Sequence, residues 1–227
     1  MEPMSSRFAN LNRQLEEFAL RYGRKPDQLA LLAVSKTRSA EEIRRCYGLG
    51  QERFAENYLQ EALEKIAHCA DLPIEWHFIG RVQRNKTREI ASRFDWVHTV
   101  DRELIARRLH EQRPDHLPPL NICVQVNLDR SESKAGVTQE SLPALLEAVR
   151  QMERLSLRGL MTIPEPAVTL EQQRRPYRQL AGLFQQCARA GEQWDTLSMG
   201  MSGDMEAAVA EGATLLRIGT ALFGPRD

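Results

Sequence analysis

Apolar residues recur along this chain in two alternating rhythms. Short runs without a helical period stand at Leu29–Ser35, Phe54–Ala55, Trp76–Ile79, Trp96–Val100, Ile122–Val126, Leu157–Ile163, Leu197–Met199 and Thr214–Ile218, and each reads as a buried strand. Between them apolar positions return every three or four residues, which predicts helices over about 58–69, 86–93, 102–112, 139–151, 170–190 and 204–211. A further helix opens at Ser39-Ala-Glu-Glu42, where the Ser39 hydroxyl and the Glu42 carboxylate can satisfy each other's backbone donors. Ahead of the first strand, Ser5 to Tyr22 places Phe8, Leu11, Leu15 and Phe18 on one face and charged residues on the other, an amphipathic helix that must pack on something.

Strands alternating with helices imply a parallel sheet, and eight such units suggest closure into a barrel. The strand ends recur roughly every 26 residues, a length that suits a βα unit. A doubly wound open sheet is the alternative, but no G-x-G-x-x-G follows the first strand. No low-complexity tract or linker divides the chain, so residues 1–227 read as a single (β/α)8 TIM-barrel domain, an α/β fold with an extra N-terminal helix.

Composition narrows the class of function. Lys plus Arg and Asp plus Glu both total 31, and no basic stripe interleaved with aromatics appears, which argues against a nucleic-acid partner. No apolar run approaches membrane-spanning length and no signal-peptide pattern opens the chain. Cys46, Cys69, Cys123 and Cys187 are isolated and read as reduced thiols of a cytoplasmic protein. The five histidines form no H-x-H or H-E-x-x-H cluster, so no metal site is expected.

Candidate chemistry gathers at the carboxyl ends of the strands, where barrels place their sites. Lys36 ends the otherwise apolar run Leu29-Ala-Leu-Leu-Ala-Val-Ser-Lys36. A partly desolvated lysine in such a place can act as a nucleophile, although a lone lysine after a strand often only marks where the strand meets water. The other strand ends contribute Asn57, His77 with Gly80, Thr99, Asn127, Met161 with Thr162, Ser198 to Ser202, and Arg217 to Thr220. The segments Ser198-Met-Gly-Met-Ser-Gly-Asp204 and Arg217-Ile-Gly-Thr-Ala-Leu-Phe-Gly224 follow strands 7 and 8, the usual place of a barrel's phosphate site. A lysine nucleophile with a phosphate clamp fits a Schiff-base aldolase for sugar phosphates or a site for pyridoxal 5′-phosphate (PLP). The aldolase lacks obvious paired acids, whereas Arg217 can face a pyridine nitrogen.

Ala33-Val-Ser-Lys36, Phe54-Ala-Glu-Asn57, His77-Phe-Ile-Gly80, Gln83 with Asn85-Lys86, Ser198-Met-Gly-Met-Ser202 with Asp204, and Arg217-Ile-Gly-Thr220 with Phe223-Gly224 resemble the YggS/PROSC family of PLP-binding proteins of PLP homeostasis, in order and over essentially the whole chain. The resemblance implies the fold type III barrel of the alanine racemase N-terminal domain, with PLP held covalently on Lys36 as an internal aldimine. It implies that Ser202, Gly219 and Thr220 hold the phosphate, that Arg217 faces the pyridine nitrogen, and that Asn57, His77 and Met199 are neighbours of the ring. Lys134, in Ser133-Lys-Ala-Gly136, matches a family lysine, and its alternative is a solvated loop position. The chain departs from the family pattern at Arg81-Val-Gln-Arg84, where two extra charges enter the loop after strand 3 and read as solvated surface charges.

A guanidinium stays cationic and cannot accept the ring proton, so Arg217 should leave PLP a weak electron sink. Racemases of this fold complete their site with a tyrosine from another domain, which this sequence, ending at Asp227, is expected to lack. The resulting expectation is a cytoplasmic, monomeric PLP carrier without catalytic residues, with apo PLP-dependent enzymes as transient recipients. The alternative is a weak amino-acid racemase.

Overall fold

Every strand of the computed structural model, which describes residues 2–129 and 135–225, runs parallel to its neighbours. The strands are β1 (Ala30–Val34), β2 (Arg53–Glu56), β3 (Glu75–Phe78), β4 (Trp96–Val100), β5 (Leu120–Gln125), β6 (Leu155–Met161), β7 (Thr196–Ser198) and β8 (Leu215–Ile218). They follow one another around a closed barrel, and β8 returns to β1 with Leu32 beside Arg217 and Ala33 beside Ile218. The expected barrel is therefore present, and the open-sheet alternative is excluded by the β1–β8 pairing.

Helices α1 (Met4–Arg21), α2 (Ala40–Tyr47), α3 (Leu59–His68), α4 (Thr87–Arg93), α5 (Glu103–Gln112), α6 (Leu142–Arg150), α7 (Leu170–Cys187), α8 (Met205–Ala210) and α9 (Thr220–Phe223) surround the barrel. The capping box at Ser39 forms as the sequence predicts: Glu42 N–H donates to Ser39 Oγ and Ser39 N–H to Glu42 Oε2. In α1 the buried residues are Leu11, Leu15 and Ala19, with Phe8 and Phe18 half-buried beside them. This helix packs on α8 and α9, where Arg7 Nε donates to the Leu222 carbonyl at 2.8 Å. Sequence periodicity does not reveal α9, because four residues are too few to display a helical period.

Alternation along each strand sorts the side chains into two layers. On β1, Leu31 and Ala33 join the large core between barrel and helices, whereas Leu32 and Val34 join Ala55, Ile79 and Leu215 inside the barrel. Trp96, Cys123 and Met161 form a second interior cluster. The rest of the interior is polar, unlike the branched aliphatic layers usual in such barrels: His77, His98, Ser198 and Arg217 are all buried there and hydrogen-bonded in series.

Candidate cofactor site

A cavity of about 260 Å³ opens at the carboxyl ends of the strands, just below the roughly 300–1,000 Å³ usual for small-molecule sites. Lys36, Asn57, Ser202, Arg217, Gly219 and Thr220 line it, and Val34, Ile79 and Met161 supply apolar surface. Six of the eight residues expected at the site thus share one cavity.

Lys36 reaches it by strand parity. Alternation continues inward through Ala30, Leu32 and Val34 to Lys36, so Ser35 turns outward. There the Ser35 hydroxyl donates to Glu56 Oε1 at 2.7 Å, and the Ser35 carbonyl accepts from Lys65 Nζ at 2.7 Å. Lys65 also pairs with Glu56 at 2.8 Å and with Glu61. The next residue, Thr37, holds φ 65, the left-handed region that β-branched residues avoid, and its N–H donates to Glu61. A buried ionic cluster behind the strand therefore fixes both neighbours of Lys36.

Asn57 continues the inward face of β2. Gly80 lies so close to it that an added Cβ would stand 1.9 Å from the Asn57 carbonyl oxygen, and only glycine permits that approach. Asn57 Oδ1 is buried without a hydrogen-bond partner, a vacancy of the kind a ligand donor fills.

Arg217 is 3% exposed. Its Nη1 donates to Ser198 Oγ and its Nη2 to the Thr162 carbonyl, both at 2.8 Å. Burial lowers its affinity for the proton, and Tyr177, Asp204 and Cys123 oppose that shift. The turn after β7 is set by Gly200, at φ 95, whose carbonyl accepts from Arg217 N–H at 3.0 Å. Asp204 pins the same turn by accepting from Met201 N–H at 2.6 Å and from the Tyr177 hydroxyl at 2.7 Å. Ser202 Oγ accepts from Ala221 N–H at 3.3 Å, which joins the two glycine-containing turns.

Two expected neighbours stand elsewhere. His77 lies deeper in the barrel, two residues below Ile79 on the same inward row, where Nε2 contacts Glu75 Oε1 at 2.8 Å and Nδ1 contacts His98 Nε2 at 2.9 Å. Met199 follows the inward Ser198 and so turns outward, into the core cluster that includes Met205 and Leu216. Arg81 and Arg84 are exposed and do not line the cavity. Lys134 lies outside the described residues. Arg38 lines the cavity although the sequence drew no attention to it; its Nη2 donates to the carbonyls of Gly224 at 2.6 Å and Pro225 at 2.9 Å. Among the described residues no cluster of three or more His, Cys, Asp or Glu suits a metal, and no helix is long and apolar enough to cross a membrane.

Residues 9–227 match the family model described as "Alanine racemase, N-terminal domain". Over all of its length the chain is 52% identical to a protein of Pseudomonas aeruginosa named "Pyridoxal phosphate homeostasis protein", covering 97% of that protein. The chain belongs to this family. The Escherichia coli K12 family member of the same name is 46% identical, with 100% of this chain and 98% of that protein aligned. Among solved structures, PipY of Synechococcus elongatus with PLP bound superposes with a TM-score of 0.84 at 37% identity, over 98% of this chain and 100% of PipY. Alanine racemase of Corynebacterium glutamicum superposes at 0.71 with 15% identity over 97% of this chain and 61% of the enzyme, a likeness of fold. The homeostasis family thus has the racemase barrel, and its members carry names of homeostasis proteins and not of enzymes.

Proposed function

We propose that this protein holds pyridoxal 5′-phosphate in the cavity at the barrel mouth, linked covalently to Lys36, and keeps the cofactor available to other proteins without robust turnover of its own. The observation that carries the reading is that Lys36 and Arg217 line one cavity together with the turns after β7 and β8. The homeostasis names of the relatives and the PLP-bound PipY structure support it. When bound, PLP supplies an aldehyde for amines and an electron-accepting ring.

Lys36, at the end of the strand and facing the cavity, would be the residue that holds the cofactor through its aldehyde. Ser202 and the Gly219-Thr220 turn would hold the phosphate, and Asn57, whose Oδ1 is buried without a partner, would be available to a donor of the ligand. Arg217 would face the ring nitrogen as a donor that cannot accept its proton, an arrangement that weakens the ring as an electron sink. Among the described residues, no tyrosine or carboxylate lines the cavity to serve as a second base. These features favour holding over racemisation. The same reading takes residues 1–227 as one cofactor-binding domain, a monomer in the cytoplasm that passes PLP transiently to apo PLP-dependent enzymes.

The test is direct. Purified protein given PLP should turn yellow, borohydride should fix the cofactor on the Lys36 peptide by mass, and Lys36→Ala should abolish both. Mixing the loaded protein with an apo PLP enzyme should restore that enzyme's activity. Colourless protein that cannot be loaded, or Lys36-dependent racemisation of amino acids at enzymatic rates, would sink the proposal.

A further inference from the structure

With both rings neutral and Glu75 ionised, the polar chain inside the barrel has one consistent arrangement of protons. Arg217 sits at one end and can only donate, so Ser198 Oγ must accept from Nη1 at 2.8 Å. The Ser198 hydroxyl proton then goes to His98 Nδ1, 2.8 Å away. His98 accepts there, so in its neutral form it carries its proton on Nε2, which donates to His77 Nδ1 at 2.9 Å. His77 in turn carries its proton on Nε2 and donates to Glu75 Oε1 at 2.8 Å. The Glu75 carboxylate can only accept, so the two ends of the series demand the same direction. Both rings are essentially unexposed and burial disfavours their charged forms, which suits a series of neutral imidazoles. Glu75 lies at the opposite mouth of the barrel, 39% exposed and paired with Arg53 at 3.1 Å.

We propose that Ser198, His98 and His77 are positioning residues that hold the Arg217 guanidinium toward the cofactor's ring nitrogen, and that Arg217 and Glu75, at the two ends, together set the proton order of the series. The inference rests on the cavity being a PLP site. A charged donor fixed by a polarised series keeps its remaining N–H groups aimed at the cavity without cost when the ligand arrives. The series also explains why a barrel interior that usually holds aliphatic side chains is polar at this level. The charged or titratable groups facing it are Glu75 on the same strand as His77, Arg53 and Asp95 from neighbouring segments, Arg158 over the Trp96 ring that stacks on His77, and Tyr177, Asp204 and Cys123 around Arg217.

Two measurements test this. In protein labelled with 15N-histidine and free of cofactor, long-range 1H–15N spectra should show His77 and His98 neutral and protonated on Nε2 at neutral pH, and Glu75→Ala combined with Ser198→Ala, which removes the demand at both ends, should release both rings together into mixed tautomers. In loaded protein, Ser198→Ala should release PLP roughly five- to tenfold faster, the worth of one buried hydrogen bond, while Ser198→Thr, which keeps the hydroxyl, should stay near the parent rate. An Nδ1-protonated or charged ring in the parent would overturn the proposed order. Unchanged release from yellow Ser198→Ala protein would overturn the positioning role alone, whereas a parent that never yellows would overturn the function with it.

Discussion

Lys65 Nζ donates to the carbonyl of Ser35 at 2.7 Å, one peptide unit before Lys36. The two lysines therefore share a strand end and lie in opposite environments. Lys65 is 5% exposed, enclosed by Glu56 and Glu61 behind the barrel wall, whereas Lys36 faces the cavity. Burial raises the Glu56 carboxyl above its ordinary value, and Lys65 and Ser35 pull against that shift. The cluster is costly to assemble and costly to break, which makes it a rigid backing for the peptide that carries Lys36.

Removing its cation leaves two carboxylates facing each other without compensation. Lys65→Met should lower unfolding stability in urea by about 3–5 kcal/mol, and adding Glu56→Gln should recover much of the loss. A Lys65→Met protein as stable as the parent would show that the cluster is not needed.

Gly80 should tolerate no side chain. The Cβ of Gly80→Ala would stand 1.9 Å from the Asn57 carbonyl, so β2 and β3 must part at their ends. The expected cost is at least about 1–3 kcal/mol in thermal or urea unfolding, with weaker PLP binding because Asn57 moves with the strand end.

The buried histidines predict the acid side of the stability curve. His77 and His98 have folded-state pKa values pushed below the ordinary 6.5, mainly by burial. The unfolded chain therefore binds protons that the folded chain refuses, so their contribution is complete above the unfolded pKa and is lost as pH falls below it. Urea midpoints should decline from about pH 6.5 downward, and His98→Asn should flatten part of that slope. A parent curve flat between pH 7 and pH 5 would contradict neutral burial of both rings.

Arg38 ties the β1 end to the segment after α9. Arg38→Ala should speed amide exchange at Gly224, whose N–H bonds to Thr220, by roughly tenfold, with little change at the buried strands. Equal exchange in parent and variant would show that the tie is idle.

The barrel was readable because both faces of its strands are buried, leaving apolar runs such as Leu29–Val34 that no helix period interrupts. Lys36 and Arg217 stood out for the complementary reason, a charge in an otherwise apolar strand. Depth was harder to read. His77 belongs to the run Trp76–Ile79, and only the level of Ile79 within the barrel shows that His77 lies beneath the cavity and not at its rim. Met199 adjoins a motif serine, yet the inward turn of Ser198 forces it outward. The Ser198–His98–His77 series spans three strands with no local spacing to betray it. Glu61 and Lys65 look like an ordinary exposed helical pair at i, i+4, and the burial of Lys65 appears only once α3 is packed on β2.

The candidate site straddles the seam where the first strand meets the last. Lys36 follows the end of β1, Arg217 and Thr220 flank the end of β8, and Arg38 and Arg7 cross from the start of the chain to residues beyond 220. These are contacts of nearly the greatest sequence separation the chain offers, and contacts of that kind are paid for late in folding. A half-finished barrel would own every strand between and still have no pocket. Loading with cofactor would then report on ring closure itself, and a bound molecule would act as a clasp across the joint between the first strand and the last.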